Sequence, residues 1–442
     1  MTDVLSLVRQ ALAPFLVRQK WWIAFSGGLD SQVLLHLLWR LREEAHAAKA
    51  PFPALYAIHI NHQLQLPASE WVAHCQRQCD AYAIPLVVRV VDVADVGRGV
   101  EAAARDARYH EFAEVLAGGD VLFLAHHLDD QAETLLLRLL RGAGVTGLAA
   151  MPSNRRLGAG ELFRPLIGVA RSSLEAYAEE YQLSWVEDPS NTDTHYRRNF
   201  LRQRIMPLLA EHWPDYRAGF GRAARLQADA AQLLDEYIGA DLLALIDDNA
   251  SLDLRSLAKL SEIRQRAILR QFIIQGSGLA LSSAQLDTIV RQFSAARSDS
   301  RPEFRLAGGG VLRAYRQRLF CEPVLQGLAL QEREWRIERR MVIAGVGCLS
   351  AEPEGDFMPR GPLQIRFRKG GERCHLVGES HSRSLKKLLQ EWKIPPWQRE
   401  TLPLIYCNGE LAAIAGLAIC EGYRAQLGES GWNLNWEPEA LT

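Results

Sequence analysis

The sequence contains no uninterrupted apolar run of about 18 residues, the shortest that crosses a membrane as a helix. Its start, MTDVLSLVRQALAPF, also lacks the basic, apolar and small-residue order of a signal peptide. With 48% apolar and 23% charged residues, the composition is that of a globular protein and excludes disordered, collagen-like and coiled-coil chains. We therefore expect a cytoplasmic protein with no membrane partner.

Cysteine is scarce, with seven residues scattered over 442. An odd count at irregular spacing does not predict a disulfide framework. The closest pair, Cys75 and Cys79, lies in a stretch with a helical pattern. No second pair nearby supplies the further ligands that a zinc ion or an iron–sulfur cluster needs. We expect both residues to be partly buried thiols without a metal or redox role.

Charge is balanced over the whole chain, at a net −1, but it is uneven along the chain. Between Arg360 and Arg399 there are ten Lys and Arg against three Glu, so this stretch carries +7 and the remainder −8. A basic patch on a neutral protein favours a polyanionic partner, because neutralising phosphates drives such binding. A solvated basic face is the alternative.

The first 150 residues alternate apolar runs with helical patterns. We expect strands at 21–25, 54–60, 86–91 and 121–125, and helices at 31–42, 68–83, 101–117 and 130–141. This alternation indicates right-handed βαβ units around a buried parallel sheet. Ligands of such sheets bind beyond the carboxyl ends of the strands. The residues that follow each strand are therefore the first candidates for a site.

The remaining chain predicts two further domains, in line with its length. Residues 151–215 look loop-rich and then helical, 216–298 have the pattern of amphipathic helices, strands follow around 303–322, and 350–362 is a predicted linker. Apolar strands are expected near 363–368, 403–407 and 411–415. The predicted fold is α/β: a doubly wound parallel-sheet domain at 1–215, a mainly helical domain at 216–350 and a small α+β domain at 360–442.

A Gly-rich turn, Ser26-Gly27-Gly28-Leu29-Asp30-Ser31, follows the first predicted strand and opens the first helix. Glycines let the backbone approach a ligand closely, and the free N–H groups of a helix start bind anions. The turn lacks the Walker A lysine, and no lysine occurs between Lys49 and Lys259, so phosphate would be held by backbone, hydroxyls, arginine or metal. Asp30 would repel phosphate unless it also holds Mg²⁺. The position favours a nucleotide site over a plain tight turn.

A second cluster, Ala125-His126-His127-Leu128-Asp129-Asp130-Gln131-Ala132-Glu133-Thr134, follows the fourth predicted strand. It is therefore expected at the same sheet edge as the Gly-rich turn. Asp130 and Glu133 are three residues apart and share a face of the helix that begins here. Ordinary helix capping by acids is the alternative. The adjacent histidines do not indicate a metal site, because neighbouring side chains of an extended segment point to opposite sides.

Arginines supply the other candidates. Glu101, Arg105 and Arg108 share a face of the third helix, where Glu101 and Arg105 can pair and Arg108 is left to grip a carboxylate or phosphate. Further along, YRRNFLRQR (196–204) contains four arginines flanked by aromatic residues. Phosphate pairing combined with base stacking suits RNA. A solvated helix face is the alternative.

These motifs together resemble a known family. SGGLDS resembles the signature of the PP-loop ATP pyrophosphatases, which adenylate a carbonyl-type oxygen and release diphosphate. Further stretches resemble tRNA(Ile)-lysidine synthetases: IHINHQL (58–64), AHHLDDQAET (125–134), RGAGVTGLAAM (141–151), Arg164-Pro165-Leu166, EDPSN, YRRNFLR, FRKGGERCHL and residues 385–417. The resemblance spans nearly the whole chain.

The resemblance implies a ligase that attaches L-lysine to C2 of the wobble cytidine, position 34, of tRNA(Ile) with a CAU anticodon. The product, lysidine, changes codon reading from AUG to AUA. ATP would adenylate the cytosine O2 at the turn Ser26 to Ser31, with Mg²⁺ at Asp30, and lysine would then displace AMP. The family's lysine-binding residues fall on Arg108, Asp130 and Glu133. The catalytic candidates are these three and Asp30, with Asp130 or Glu133 as the base.

Residues assigned to tRNA are Arg197, Arg198, Asn199, Arg202, Arg368, Lys369, Lys386 and Lys387. Residues 216–350 carry no motif that can be transferred from the family, and the assembly state stays open, a homodimer included. One alternative is another PP-loop tRNA modifier, such as a cytidine thiolase, which would need a cysteine near the turn. A small-molecule synthetase would not explain the basic C-terminal stretch. A non-catalytic RNA-binding protein would not explain the intact Asp30, Asp130 and Glu133.

Overall fold

The structure, a computed structural model, describes residues 3–62, 68–91, 100–247, 249–279, 281–294, 302–307, 310–323, 330–426 and 428–438. The chain divides into two compact units, Met1–Leu234 and Asp235–Thr442. In the described ranges no helix has the length and apolar character of a membrane span. The domain boundaries expected at 215 and 350 stay predictions.

The first unit contains a sheet of six strands: β1 (Lys20–Ala24), β2 (Ala54–Asn61), β3 (Leu86–Val90), β4 (Val121–Phe123), β5 (Asn154–Leu157) and β6 (Gly160–Phe163). Their order is β3-β2-β1-β4-β6-β5, with every neighbouring pair parallel except β5 and β6. The helices are α1 (Val4–Leu12), α2 (Leu29–Ala47), α3 (Ala68–Ala81), α4 (Val100–Val115), α5 (Leu128–Leu139), α6 (Val145–Leu148), α7 (Arg171–Glu180), α8 (Arg197–Phe200), α9 (Met206–His212) and the first part of α10 (Tyr216–Leu245), which continues past Leu234 into the second unit. A π-helical turn, Leu201–Ile205, joins α8 to α9.

Helices cover both faces of this sheet, as the alternation of buried residues in β1 requires. Trp21 and Ile23 belong to one core together with residues of α1, α2 and α7. Trp22 points to the other face, where it packs in a second core with Phe112 and Leu116 from α4 and the segment after it. Burial of both faces explains why these strands are continuous apolar runs. The predicted doubly wound parallel sheet is confirmed.

The four strands and four helices expected in the first 150 residues all form. The expectation for 151–215 was incomplete, because β5 and β6 form a hairpin that joins the sheet and α7 packs on its first core. The hairpin was missed because Asn154-Arg155-Arg156 is polar, as an exposed edge strand is. Its effect on the site is direct, since Arg164 follows β6.

The second unit combines helices with several small antiparallel sheets. Its helices are α11 (Leu254–Leu257), α12 (Glu262–Ser277), α13 (Ser283–Ser294), α14 (Leu385–Glu391) and α15 (Gln398–Thr401). Its strands are β7 (Leu252–Asp253), β8 (Glu303–Arg305), β9 (Gly310–Tyr315), β10 (Arg318–Pro323), β11 (Arg333–Trp335), β12 (Met341–Ile343), β13 (Gly347–Gly355), β14 (Leu363–Arg366), β15 (Arg373–Cys374), β16 (Arg383–Ser384), β17 (Leu404–Cys407), β18 (Glu410–Ile414), β19 (Ala418–Ile419) and β20 (Gly431–Pro438). A helical middle followed by a small α+β region is confirmed.

Two expectations for the second unit need correction. The prediction of a linker at 350–362 is wrong for the first half of that range, because 350–355 belong to β13, which pairs with β20. Cys374 and Cys420 form a disulfide, although neither the number of cysteines nor their spacing predicts it. The two residues are 46 positions apart. Both features join segments that are distant in the sequence, and local patterns do not report such pairings.

Candidate active site

The Gly-rich turn lies between β1 and α2, at the carboxyl edge of the sheet. Gly28 caps the N-terminus of α2, and its N–H donates to Ser26 Oγ at 3.3 Å. The Ser26 and Ser31 hydroxyls lie 3.0 Å apart. Gly27 has φ +82°, and a Cβ placed on it would lie 2.9 Å from Cys75 Sγ. The turn therefore requires glycine at position 27, and it presents the helix start and two hydroxyls together.

Cys75 lies behind this turn, against Gly27. Its side chain is fully buried, 3.5 Å from His59 Nδ1. Burial raises the pKa of Cys75, and that of Cys79, to about 12. Both thiols are therefore enclosed in the core, and they are more buried than the sequence predicts.

His127 connects the turn to the second cluster. It caps α5, with its Nδ1 accepting from the Asp130 N–H while Asp130 accepts from the His127 N–H. Its Nε2 lies 3.6 Å from Asp30 and 3.4 Å from Asp130. Burial alone would lower the pKa of His127, but the carboxylates of Asp30, Asp130 and Asp129 raise it. Asp130 therefore takes part in capping α5, and His127 also links Asp130 to Asp30.

Asp30 fits the role of a cation ligand. Its Oδ1 is buried and has no hydrogen-bond partner among the described residues. Among the described residues, no three His, Cys, Asp or Glu side chains form a group that could hold a metal ion. Mg²⁺ needs no such cluster, because it commonly takes one or two carboxylates together with water and substrate phosphates.

Asp130 and Glu133 share a face of α5, as the sequence predicts, but two arginines cover them. Arg198 donates to Glu133 at 2.7 Å and to Asp130 at 2.9 Å. Arg202 donates to Glu133 at 2.6 Å and to Asp130 at 3.2 Å. Burial would raise the pKa of Asp130, yet His127 and Arg198 lower it to about 2. We call these four side chains, Asp130, Glu133, Arg198 and Arg202, the acid–arginine cluster.

The two arginines reach α5 because they lie one turn apart, on α8 and on the π-helical turn after it. Single π-helical turns within helices are frequent at functional sites. Arg197 is exposed, and the Asn199 amide donates to the Asp193 carbonyl at 2.9 Å. Of the residues assigned to tRNA in this segment, Arg198 and Arg202 thus contact the assigned lysine site.

A cavity of about 1070 Å³ brings most of the candidates together. Its lining includes Ser26, Gly28, Leu29, Asp30, Ser31, Arg108, Asp130, Arg198, Asn199 and Arg202. Glu133 instead lines a smaller adjoining cavity of about 290 Å³, to which Arg202 also contributes. The Glu101–Arg105 pair cannot be placed, because the Glu101 side chain lies outside the described residues. Arg105 stacks on the ring of Tyr109.

Sequence reasoning missed Arg164 and His126 as site residues. Arg164 donates through Nε to His126 Nδ1 at 3.0 Å, and His126 lines the larger cavity. Burial, together with Arg164 and two further arginines, lowers the pKa of His126 to about 3 against the opposing charge of Asp130. The family motifs contain both residues, but nothing in their local sequence indicates the pairing.

The basic residues of the second unit fall into two kinds. Arg368 lies 3.7 Å from Glu372, and the Lys369 amine lies 2.7 Å from Glu332, so acids already neutralise both. Lys386 and Lys387 are exposed on α14 and form no ion pair with the described residues. Glu372 is already counted in the local +7, whereas Glu332 lies outside that stretch and cancels part of it, and α14 presents two lysines that no described acid neutralises.

Three protein families match the chain: a PP-loop domain at residues 2–209, a TilS substrate binding domain at 252–320 and a TilS substrate C-terminal domain at 363–436. The chain is 42% identical to a tRNA(Ile)-lysidine synthase of Serratia proteamaculans, over 94% of each chain. It is 44% identical to a tRNA(Ile)-lysidine synthase of Pseudomonas aeruginosa, over 98% of this chain and 97% of that one. Among solved structures, a U34-tRNA thiolase of Methanococcus maripaludis matches 51% of this chain and 78% of its own at 18% identity, with a TM-score of 0.43.

Proposed function

Because the chain belongs to the tRNA(Ile)-lysidine synthase family, we propose that it joins L-lysine to C2 of the wobble cytidine of tRNA(Ile) with a CAU anticodon. ATP is converted to AMP and diphosphate in the reaction. One observation carries the proposal: a single cavity collects the Gly-rich turn, Asp30, Arg108 and the acid–arginine cluster's Asp130. ATP, a nucleobase and an amino acid would meet there.

The turn supplies the ATP site. The first N–H groups of α2 and the hydroxyls of Ser26 and Ser31 hold phosphate oxygens, and the dipole of α2 favours their charge. Mg²⁺ held by Asp30 would neutralise charge on the phosphates that the reaction transfers and releases. The cytosine O2 attacks the α-phosphorus, which forms the O–P bond and releases diphosphate. Esterification to AMP turns a poor leaving group into a good one.

Arg108 and the acid–arginine cluster form the proposed lysine site. Arg108 can pair with the carboxylate of the amino acid, while Asp130 and Glu133 attract an ammonium. The Glu133 side chain is only 2% exposed, because Arg198 and Arg202 cover it. An ammonium that binds these acids must therefore displace a guanidinium. The two arginines also cancel the charge of the acids, which limits how far the acids raise the pKa of a bound amine.

The attacking amine forms the bond to C2 while the bond from C2 to the adenylated oxygen breaks and AMP leaves. The amine must lose a proton in this step, and Asp130 or Glu133 is the proposed acceptor. Asp130 is poorly suited to this role, because burial would raise its pKa but His127 and Arg198 lower it to about 2 and make it a weak base.

The cytidine thiolase alternative would need a reactive cysteine in the cavity. No cysteine occurs among its described lining residues, and Cys75 is buried behind the turn with its pKa raised to about 12. A neutral, enclosed thiol is a poor nucleophile. The site therefore favours the lysine reaction.

The test is transfer of radiolabel from L-lysine to an unmodified tRNA(Ile) transcript in the presence of ATP and Mg²⁺. We expect label in this tRNA and none in the methionine tRNA with the same anticodon. Asp30→Ala should abolish the transfer while changing tRNA affinity less than about twofold, since Asp30 faces the nucleotide. Absence of label from wild-type reactions that still consume ATP would reject lysine as the substrate.

A further inference from the structure

Arg164 is a buried cation that acts as the donor in each of its hydrogen bonds. It is 2% exposed. Its Nη1 donates to the Pro152 carbonyl at 2.6 Å, its Nη2 to the Tyr109 hydroxyl at 3.4 Å and its Nε to His126 Nδ1 at 3.0 Å. A guanidinium has no acceptor atom. Each partner must therefore offer a lone pair towards it.

For His126 this requirement fixes the tautomer. A neutral imidazole carries one N–H, and its other nitrogen is an acceptor. Because Nδ1 accepts from Arg164, the proton is on Nε2. An imidazolium would place a second N–H against the guanidinium, and burial beside three arginines holds the pKa of His126 far below neutrality.

The neighbouring His127 shows the opposite arrangement. It is surrounded by Asp30, Asp129 and Asp130, and its pKa is raised. Two adjacent histidines of one motif thus have different charge preferences, because one faces arginines and the other faces carboxylates. His126 is the one of the two that lines the larger cavity.

We propose that Arg164 is a positioning residue that fixes His126 as a neutral donor, and that the Nε2–H of His126 donates to a phosphate oxygen of the substrate bound in the cavity. The acceptor is anionic because Arg105, Arg108 and Arg198 line the same cavity. The phosphate belongs either to ATP or to the tRNA backbone beside the wobble base. His126 is thus a hydrogen-bond donor and takes no proton from lysine. The identity of the substrates rests on the proposed function, whereas the tautomer does not.

The tautomer is measured directly by nitrogen-15 NMR on the full-length chain with ring-labelled histidine. The chain has 12 histidines, and the His126 signal is the one missing from the spectrum of His126→Gln. We expect the wild-type ring to be neutral with its proton on Nε2 at any pH from about 6 to about 8. A protonated Nδ1, or an imidazolium, overturns the proposal whether or not the protein is active on lysine.

Two variants distinguish a role of Arg164 in positioning His126 from a role in general packing. Arg164→Met should give His126 a mixture of tautomers. Arg155→Gln is the matched control, because Arg155 also contacts Tyr109, stacking at 4.8 Å, whereas the hydrogen bond to His126 comes from Arg164. We expect the control to keep the wild-type tautomer. A wild-type tautomer in Arg164→Met would remove the positioning role.

Two amide substitutions of His126 test its role as a donor. The assay is AMP release from ATP with tRNA and lysine present. The amide nitrogen of Gln reaches the position of Nε2, whereas that of Asn does not. We expect His126→Gln to retain activity within about tenfold and His126→Asn to lose about a hundredfold or more, the usual effect of losing one donor to a reacting anion. A selective rise of the KM for ATP, or for tRNA, identifies which phosphate accepts. Equal losses in both variants would contradict donation from the Nε2 position.

Discussion

At the scale of single residues, Glu133 tests the lysine site most sharply. Glu133→Gln keeps the shape of the side chain but removes the charge that would attract an ammonium. We expect the KM for lysine to rise at least about tenfold, in keeping with one charge-assisted hydrogen bond, while the KM for ATP stays the same. Steady-state AMP release with lysine as the varied substrate measures both.

The matched control is Glu175→Gln, because Glu175 lines the larger cavity but pairs with Arg171 instead of the acid–arginine cluster. Its KM for lysine should equal that of the wild type. If both variants responded alike, the effect would come from the general charge of the cavity and Glu133 would lose its assigned role.

The sequence predicted the acids of the site better than their partners. Asp130 and Glu133 are three residues apart, so helical periodicity alone places them on one face. Arg198 lies 65 residues from Glu133, and Arg164 lies 38 residues from His126. Contacts over such distances depend on how the chain folds back. A single sequence therefore indicates the residue types of the site but not which of them are already paired.

At the scale of elements, the turn from β1 to α2 makes a prediction about glycine. Gly27→Ala forces an L-residue to φ +82° with its Cβ 2.9 Å from Cys75 Sγ. We expect a loss of about 1–2 kcal/mol in the free energy of unfolding from the backbone conformation alone. Urea unfolding monitored by tryptophan fluorescence measures it.

Gly28→Ala is the control in the same turn. Gly28 has φ −79°, and an added Cβ would lie 3.5 Å from Ser26 Oγ, an ordinary contact. We expect its unfolding midpoint to stay close to that of the wild type. Equal destabilisation by both substitutions would show that the backbone conformation of Gly27 is not what the turn requires.

Helix α14 makes a second element-scale prediction, about salt. Lys386→Gln with Lys387→Gln removes two charges that no described acid neutralises, so tRNA binding should weaken and its logarithmic salt slope should flatten by about 1 to 2. Arg368→Gln with Lys369→Gln removes two charges that already face Glu372 and Glu332, and should have a smaller effect. Filter binding over a salt series compares them. A slope that neither pair changes would make the basic stretch a solvated face.

Elements were predictable where their pattern is local. Four of the five parallel strands of the first unit, β1 to β4, are short apolar runs and were expected, whereas β6 was not expected. The strand β13 was not, because SAEPEG contains Pro353, Gly355 and acids that are typical of a linker. Proline is tolerated there because Pro353 lies beyond the residues of β13 that pair with β12. Its partner β20 lies about 80 residues away, so the pairing has no local signal.

At the scale of the whole molecule, family matches cover both units, and the chain aligns with its relatives over nearly their full length. The first unit contains all the groups that the proposed chemistry uses. The second unit supplies the uncompensated lysines of α14, which suit a large polyanion better than a small acceptor. A small-molecule synthetase would leave these lysines unexplained.

The most direct test of the account is AMP release from ATP and Mg²⁺, with lysine and the tRNA varied independently. The account predicts that AMP forms at full rate only when lysine and unmodified tRNA(Ile) with the CAU anticodon are both present, and that one lysine enters the tRNA for each AMP. AMP release that depends on neither lysine nor this tRNA would contradict the account. The Gly-rich turn would then remain an adenylating site that acts on a different acceptor.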